Sequence, residues 1–415
     1  MNAPIKDPTA FPLAIGRTEF IAIIALLIAV NALAIDVMLP GMQEIGASLG
    51  VSDENQRQLV ISSYLLGFGF MQLVFGPLSD RYGRRAPLFA GLLIYVFAAT
   101  AAIFVPSFGM LLALRALQGA GAAATRVIAV AVVRDVFGGR QMAEVMSLVM
   151  TVFMIMPIIA PNAGQLILLV ADWHAIFIFM AVIAAIITVW AWLRLPETLH
   201  PEDRRPFTLA SVATGFKIVM MNRLSFWYTL ATTVVIGALF GFINSAQQVY
   251  VGIYGLGVWF PVVFALVAGL MSVASFGNAK LVMRIGMRRL SHGALFGFTT
   301  TAGLLALMSA FGPVPFPLFL GLFAITMVFF GAIGSNFGAI AMEPLGHLAG
   351  TASSVQGFFQ TVGGAFVGAG IGQAFDGTVF PLSLGFFTVG IIGLVCVFIA
   401  EKGVFFGVGA SVPKH

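Results

Sequence analysis

The sequence predicts an all-α membrane protein, with twelve transmembrane helices in two six-helix, pseudo-symmetric bundles. Three observations predict it. First, 60% of the 415 residues are hydrophobic, only 9% are charged and mean hydropathy is +1.03. Soluble domains run at roughly 45–50% apolar and about 25% charged, so a soluble fold could not hide this much apolar surface. Second, the apolar residues fall into twelve runs, each near the roughly 20 residues that span a bilayer. Third, one polar loop recurs in degenerate form 203 residues later, in the same orientation.

The runs cover 18–40, 58–78, 86–105, 108–131, 142–169 and 174–194, then 224–250, 258–282, 291–311, 316–341, 351–373 and 381–400. The first 19 residues, with scattered charge and proline, read as a short tail before a first span rather than a cleaved leader. The weakest break is at 251–257, where Gly252, Gly255 and Gly257 make the turn. The longest polar stretch, 195–223, divides the spans six and six. It reads as a linker with a surface amphipathic segment. The expected units are therefore residues 1–194, the linker 195–223, and residues 224–415.

Charge sets orientation. With a cytoplasmic N-terminus, 18 of the 21 basic residues lie inside: Lys6, Arg17, Arg81, Arg84, Arg85, Arg134, Arg140, Arg194, Arg204, Arg205, Lys217, Arg223, Lys280, Arg284, Arg288, Arg289, Lys402 and Lys414. Arg57 lies outside, and Arg115 and Arg126 fall within a span. Basic residues collect in cytoplasmic loops, so both termini are expected inside. The same rule explains the net charge of +5 without a nucleic-acid partner. The one cysteine, Cys396, excludes an intramolecular disulfide and a cysteine metal site.

Residues 76–85, Gly76-Pro77-Leu78-Ser79-Asp80-Arg81-Tyr82-Gly83-Arg84-Arg85, carry the densest charge and follow the second run. After the eighth run, Arg284-Ile285-Gly286-Met287-Arg288 aligns on Arg81-Tyr82-Gly83-Arg84-Arg85. Equivalent loops in the same orientation mean a parallel repeat about an axis along the membrane normal. In such folds substrates bind near the midplane, between the halves.

These features resemble the major facilitator superfamily. The likeness covers nearly the whole chain and includes the Gly-x-x-x-Asp-Arg-x-Gly-Arg-Arg loop. More narrowly the chain is similar to drug:proton antiporters of the bicyclomycin/chloramphenicol-resistance type. Ile35-Asp36-Val37-Met38-Leu39-Pro40, Arg115-Ala116-Leu117-Gln118-Gly119 and Leu195-Pro196-Glu197-Thr198-Leu199 carry that likeness. One stretch departs from it. In span 5, Met156, Ala160 and Gln165 stand where such exporters commonly have glycine, which leaves uptake as the alternative to export. A non-transporting sensor on the same fold would need a large soluble extension or docking segment, and the loops are short.

Asp36 is the only carboxylate well inside an apolar run. It sits roughly 27 Å from the cytoplasmic end of span 1, at 1.5 Å per residue. An ionisable residue at such depth faces a cavity or a partner, and a carboxylate there can take up and release a proton. The alternative is a helix-end residue hydrated at the outer interface. Arg115 lies at a similar depth in span 4. It does not deprotonate in proteins, so it can tune Asp36, attract an anion, or bond to backbone carbonyls. The resemblance implies a proton-coupling role for it. Gln118 shares its face. Arg126 lies on the same helix face near the inner end, within reach of the interface by snorkelling. Between them Gly119 to Ala124 form a small-residue surface suited to close helix packing.

Other polar residues within spans must find partners or face water. Asn31, Tyr64, Asn244, Gln248, Asn336, Gln356 and Gln360, together with Gln118, are the candidates for lining a substrate cavity. The rival role for each is an interhelical hydrogen bond. At the loop, the resemblance implies that Gly76, Asp80, Arg81, Gly83, Arg84 and Arg85 form a cytoplasmic gate with Arg134. Position suggests Arg134 and the start of span 11 near Thr351 as partners of Asp80; the alternative is a plain salt bridge.

No cofactor is expected. There is no phosphate-binding Gly-x-x-x-x-Gly-Lys-Ser/Thr loop. His174, His200, His292, His347 and His415 lack metal-ligand spacing, and no serine sits in a nucleophile elbow. The sequence therefore points away from an enzyme. The expected partners are the bilayer, a small molecule and protons, and a monomer is expected.

Overall fold

The structure, a computed structural model, describes residues 15–137, 139–204 and 209–407. Lys6, Arg205, Lys414 and His415 lie outside the described residues, as do the side chains of Arg140, His347 and Thr351. Six long helices form the first half: α1 (Arg17–Asp36), α2 (Leu59–Tyr82), α3 (Arg85–Ala102), α4 (Phe108–Val136), α5 (Gly139–Leu168) and α6 (His174–Arg194). The second half begins with α7 (Arg223–Gln247), α8 (Phe260–Ile285), α9 (Met287–Ala310) and α10 (Phe316–Met342). It continues with α11, which runs as Ala349–Phe358, a π-helical segment Phe359–Gly363, and Gly364–Gln373. It ends with α12 (Phe380–Ala400). Among the described residues, eleven helices are long and apolar enough to cross a membrane without interruption. The interrupted α11 makes the twelfth crossing, so the architecture has the expected twelve helices.

Helix ends coincide with the capping residues in the sequence. Ser107 accepts from the Met110 amide to start α4, and Asn222 accepts from the Ser225 amide at 3.0 Å to start α7. Such caps satisfy backbone donors that a helix leaves open. The weak break after α7 is a π-segment, Gln248–Ile253, followed by Gly255 and Gly257 at φ +64° and +51°.

The internal repeat is visible in the packing. α1 packs on α5, α2 and α3 on α4, and α3 on α6; in the second half α7 packs on α11, α8 and α9 on α10, and α9 on α12. The halves meet through α2 with α11 and α5 with α8, which exchange under the same symmetry. The two repeated loops share one backbone conformation. Gly83 has φ 90° and Gly286 φ 88°, each ending its helix in the left-handed half of conformational space that glycine adopts freely.

Lipid offers no hydrophobic gain for helix association, so close approach through small residues matters. A methyl group at Gly119 would lie 2.0 Å from the Tyr64 carbonyl oxygen. Ala122, Ala123 and Ala124 are wholly buried on the same helix. The small-residue surface of α4 is thus the seat for α2 and α3. Within the linker, a helix over Leu209–Met221 lies on the second half, where Phe216, Ile218 and Val219 pack with Leu345 and Val355.

Candidate functional site

Three polar layers lie along the bundle: one at the end carrying residues 76–85 (the loop end), one inside, and one at the distal end.

At the loop end Arg84 is the centre. Its guanidinium donates to both Asp135 oxygens at 2.7 and 3.2 Å, to Asp80 at 2.5 Å and to the Ser79 hydroxyl at 3.0 Å. Its side chain is 4% exposed. Burial alone would loosen the Arg84 proton, but the bonds to Asp135 and Asp80 outweigh it and hold the group above its ordinary value. Glu197 of the Leu-Pro-Glu-Thr-Leu stretch accepts from the backbone amides of Arg84, at 2.8 Å, and Arg85, at 3.1 Å. A carboxylate at these amides caps the start of α3 and complements its dipole. Arg85 donates to the carbonyls of Leu195 and Trp192 and lies over the Phe89 and Trp192 rings. Arg81 is exposed, against Tyr82. Gly76 brings α2 close to α11: a methyl there would meet the Ser354 hydroxyl at 3.7 Å.

The expected partner of Asp80 is corrected here. Asp80 pairs with Arg84, whereas Arg134 is exposed and makes no ion pair among the described residues. Successive helix residues point about 100° apart. Asp135 takes the position facing Arg84, so its neighbour Arg134 faces away.

The second half builds a related charged cluster, centred on Arg288, which aligns with Arg85 and not with Arg84. Arg288 donates to Glu343 at 2.8 and 3.2 Å and to Glu401 at 2.7 Å. Glu343 follows α10 as Asp135 closes α4, and Glu401 follows α12 as Glu197 follows α6. Met283, in the place of Asp80, is 86% exposed. The aligned loops pointed to Arg288, but the acids were missed. Extending the 203-residue offset to Glu197 falls one residue short of Glu401 and would have found it.

A prediction follows from Gly83. A methyl there would sit 2.6 Å from Glu197 Oε2, on a backbone with φ +90°. Gly83→Ala should cost about 1–3 kcal/mol, measured as a lower unfolding midpoint in detergent. An unchanged midpoint would show that the loop relaxes freely.

In the interior, Arg115 is fully buried. It donates to the Ala34 carbonyl at 2.9 Å, to Gln118 Oε1 at 2.6 Å and, at 3.4 Å, to the Val60 carbonyl; its guanidinium stacks 4.6 Å over the Tyr64 ring. The Tyr64 hydroxyl donates to Asn31, and Asn31 donates to Thr125 at 2.9 Å. Arg115 thus ties α1, α2 and α4 together. Among the described residues it forms no ion pair with Asp36; its bond to the α1 end goes to the Ala34 carbonyl, two residues earlier. Asp36 is 4% exposed, and among the described residues no hydrogen bond or ion pair reaches its carboxylate. Arg126 is exposed.

The remaining cavity candidates divide. Asn336 is bonded within the second half, to Asn278 at 2.7 Å and to the Ala332 carbonyl. Gln248 is bonded across the halves at the distal end, to Gln58 and Asn55. Both are engaged by protein partners in this arrangement, as are Asn31, Tyr64 and Gln118. Gln356 is buried with an unpartnered Nε2, and Asn244 is buried with neither amide atom partnered. Gln360 is half-buried. Mid-bundle, Gln72 donates to Thr361 at 3.0 Å and links α2 to α11 across the halves. Among the described residues no three metal-ligating side chains converge.

A two-half bundle with these loops matches known proteins. The model of the Major Facilitator Superfamily matches residues 23–368. The chain belongs to this superfamily. Superfamily members are transport proteins rather than enzymes. This member is 31% identical to the bicyclomycin resistance protein homolog of Haemophilus influenzae, over 93% of this chain and 95% of that one. It is 30% identical to a chloramphenicol resistance protein of Pseudomonas aeruginosa, over 81% and 79%. Superfamily structures share the fold. A D-xylose-proton symporter superposes with TM-score 0.70 at 14% identity, covering 94% of this chain and 98% of that one. The human organic anion transporter MFSD10 superposes with TM-score 0.67 at 16% identity, covering 92% and 99%.

Proposed function

We propose that this chain exports small, mostly apolar or amphipathic molecules across a bacterial cytoplasmic membrane in exchange for protons, by alternating access. The end-to-end likeness to relatives named for bicyclomycin and chloramphenicol resistance carries this reading. It acts as a monomer with both termini in the cytoplasm, so the loop end is inner and the distal end outer. Asp36 is the proton carrier: its carboxylate is buried and held by no partner, so its charge state is free to follow proton supply. Arg115 holds the Ala34 carbonyl and so fixes the end of α1 that presents Asp36. Asn31, Tyr64, Gln118, Asn244, Gln356 and Gln360, with the methionines and phenylalanines around them, supply an adaptable surface of the kind promiscuous binders use. The cluster on Arg84 steadies the inner loop while the halves rock. A proton or a substrate drives this cycle only by binding its two states unequally.

Reconstituted vesicles of both orientations decide the direction. With an imposed pH gradient, inverted vesicles should accumulate chloramphenicol when their lumen is acidic, and accumulation should collapse with a protonophore. Gradient-driven uptake confined to right-side-out vesicles would make the protein an importer, the reading that Met156, Ala160 and Gln165 in α5 leave open.

A further inference from the structure

The distal end carries a set of hydrogen bonds that the family likeness did not point to. Asn55 and Gln58 lie just before α2, in the first half; Gln248 follows α7, and Gly372 and Gln373 end α11, in the second. Asn55 Nδ2 donates to the carbonyls of Gln373, at 3.1 Å, and Phe375, at 3.0 Å; Gln373 Nε2 donates back to the Asn55 carbonyl at 2.6 Å. Gln58 Nε2 donates to Gln248 Oε1 at 2.5 Å and to the Gly372 carbonyl at 3.0 Å, and Gln248 Nε2 donates to Asn55 Oδ1 at 2.9 Å. Every one of these bonds crosses between the halves. All the side chains are neutral amides, which serve as donor and acceptor at once and have no charge to lose over physiological pH.

One turn deeper the pattern changes. Asn244 precedes Gln248 by one turn of α7 and Ser62 follows Gln58 by one turn. Asn244 is 5% exposed and neither of its amide atoms has a partner. Gln58 Oε1 and Ser62 Oγ are likewise buried and unpartnered. Gly372 joins the two sides: a methyl there would lie 1.9 Å from Gln58 Oε1 and 3.1 Å from Asn244 Cβ. Buried polar atoms without partners are costly and few in folded proteins.

We propose that Asn55, Gln58, Gln248 and Gln373 form the outer gate, and that Asn244 with Gln58 forms a hydrogen-bonding subsite on its inner face for a hydroxyl or amide group of the transported molecule. The subsite deepens the exporter reading and rests on it for its ligand; the gate rests on it only for which face is outer. Gln58 belongs to both. A group that satisfies Gln58 Oε1 and the Asn244 amide competes with the closed arrangement around Gly372 and loosens the seal. Because the gate has no titratable member, the proton acts on it through movement of the halves and not by altering a gate residue.

The test uses the full chain with Cys396→Ser and Ser62→Cys, in vesicles of both orientations, and reads the labelling rate by a membrane-impermeant maleimide without any substrate. Gln248→Ala and, separately, Gln373→Ala should each speed labelling roughly five- to tenfold, the population shift expected when a buried hydrogen bond is lost. The faster labelling should occur from the outer face. Faster labelling confined to inverted vesicles would keep the gate and reverse the orientation. Unchanged labelling from both faces would overturn the gate, whatever the transport assays give. The subsite is read by unfolding. Asn244→Leu should raise the midpoint by about 2–4 °C, since an apolar group of similar shape replaces unpaired polar atoms. Gln248→Leu, which breaks made bonds, should lower it. A fall in both would mean that the Asn244 amide is a structural partner, and the subsite would be withdrawn.

Discussion

Asp36→Asn should abolish gradient-driven transport, by at least roughly a hundredfold, while substrate exchange without a gradient persists. The substitution preserves shape and removes the only ionisable group at that position. A carrier that cannot titrate has no proton-dependent difference between its two states, and a gradient can shift an equilibrium only through such a difference. The unpartnered carboxylate makes the outcome sharp, because no ion pair is broken when the charge is removed and the fold has nothing to lose. The measurement is chloramphenicol flux in proteoliposomes with and without an imposed pH gradient, alongside an unfolding curve. Undiminished gradient-driven flux at normal stability would remove Asp36 from the mechanism.

Arg115→Lys should also fail, less completely and for a different reason. Lysine keeps the charge but not the planar fork, and Arg and Lys are not interchangeable where several fixed donors are used. Arg115 holds the carbonyl of Ala34, the carbonyl of Val60 and Gln118 from one buried position. Hydrogen bonds to a charged donor contribute about 1.5–3 kcal/mol each, and lysine cannot make all three. The expected result is a lower unfolding midpoint and transport reduced roughly tenfold or more. If Arg115→Lys transports normally, the charge alone matters and the tie between α1, α2 and α4 is incidental.

Much of the fold was legible because the bilayer imposes one simple rule, that spanning segments be long, apolar and helical. The twelve runs follow from that rule, and the charge bias from the collection of basic residues in cytoplasmic loops, without any knowledge of contacts. Asp36 and Arg115 were legible for the same reason, since a charge stands out in an apolar run. Pairings were less so. Arg134 and Asp135 are adjacent in sequence and either could have faced the loop; the helix phase that chose Asp135 depends on how α4 packs against α2. Arg115 holds three acceptors at once, and two of them are backbone carbonyls, which carry no sequence signal. Of the distal amides Gln248 was singled out, but Asn55, Gln58 and Gln373 were missed, because they look like ordinary polar residues at the end of a span. Nothing local to them announces partners about 190 and 320 residues away.

The duplicated loops supply the molecule with its own reference measurement. Gly83 and Gly286 hold the same left-handed backbone turn, at φ 90° and 88°. Around Gly83 an added methyl runs into Glu197, whereas around Gly286 it meets nothing within 4 Å. Alanine at Gly286 therefore reports backbone strain by itself, and alanine at Gly83 reports the same strain plus displacement of the Glu197 cap. Subtracting one from the other isolates the energy with which the linker grips the first half. That quantity is otherwise inaccessible, because removing Glu197 itself would also strip the charge from the start of α3.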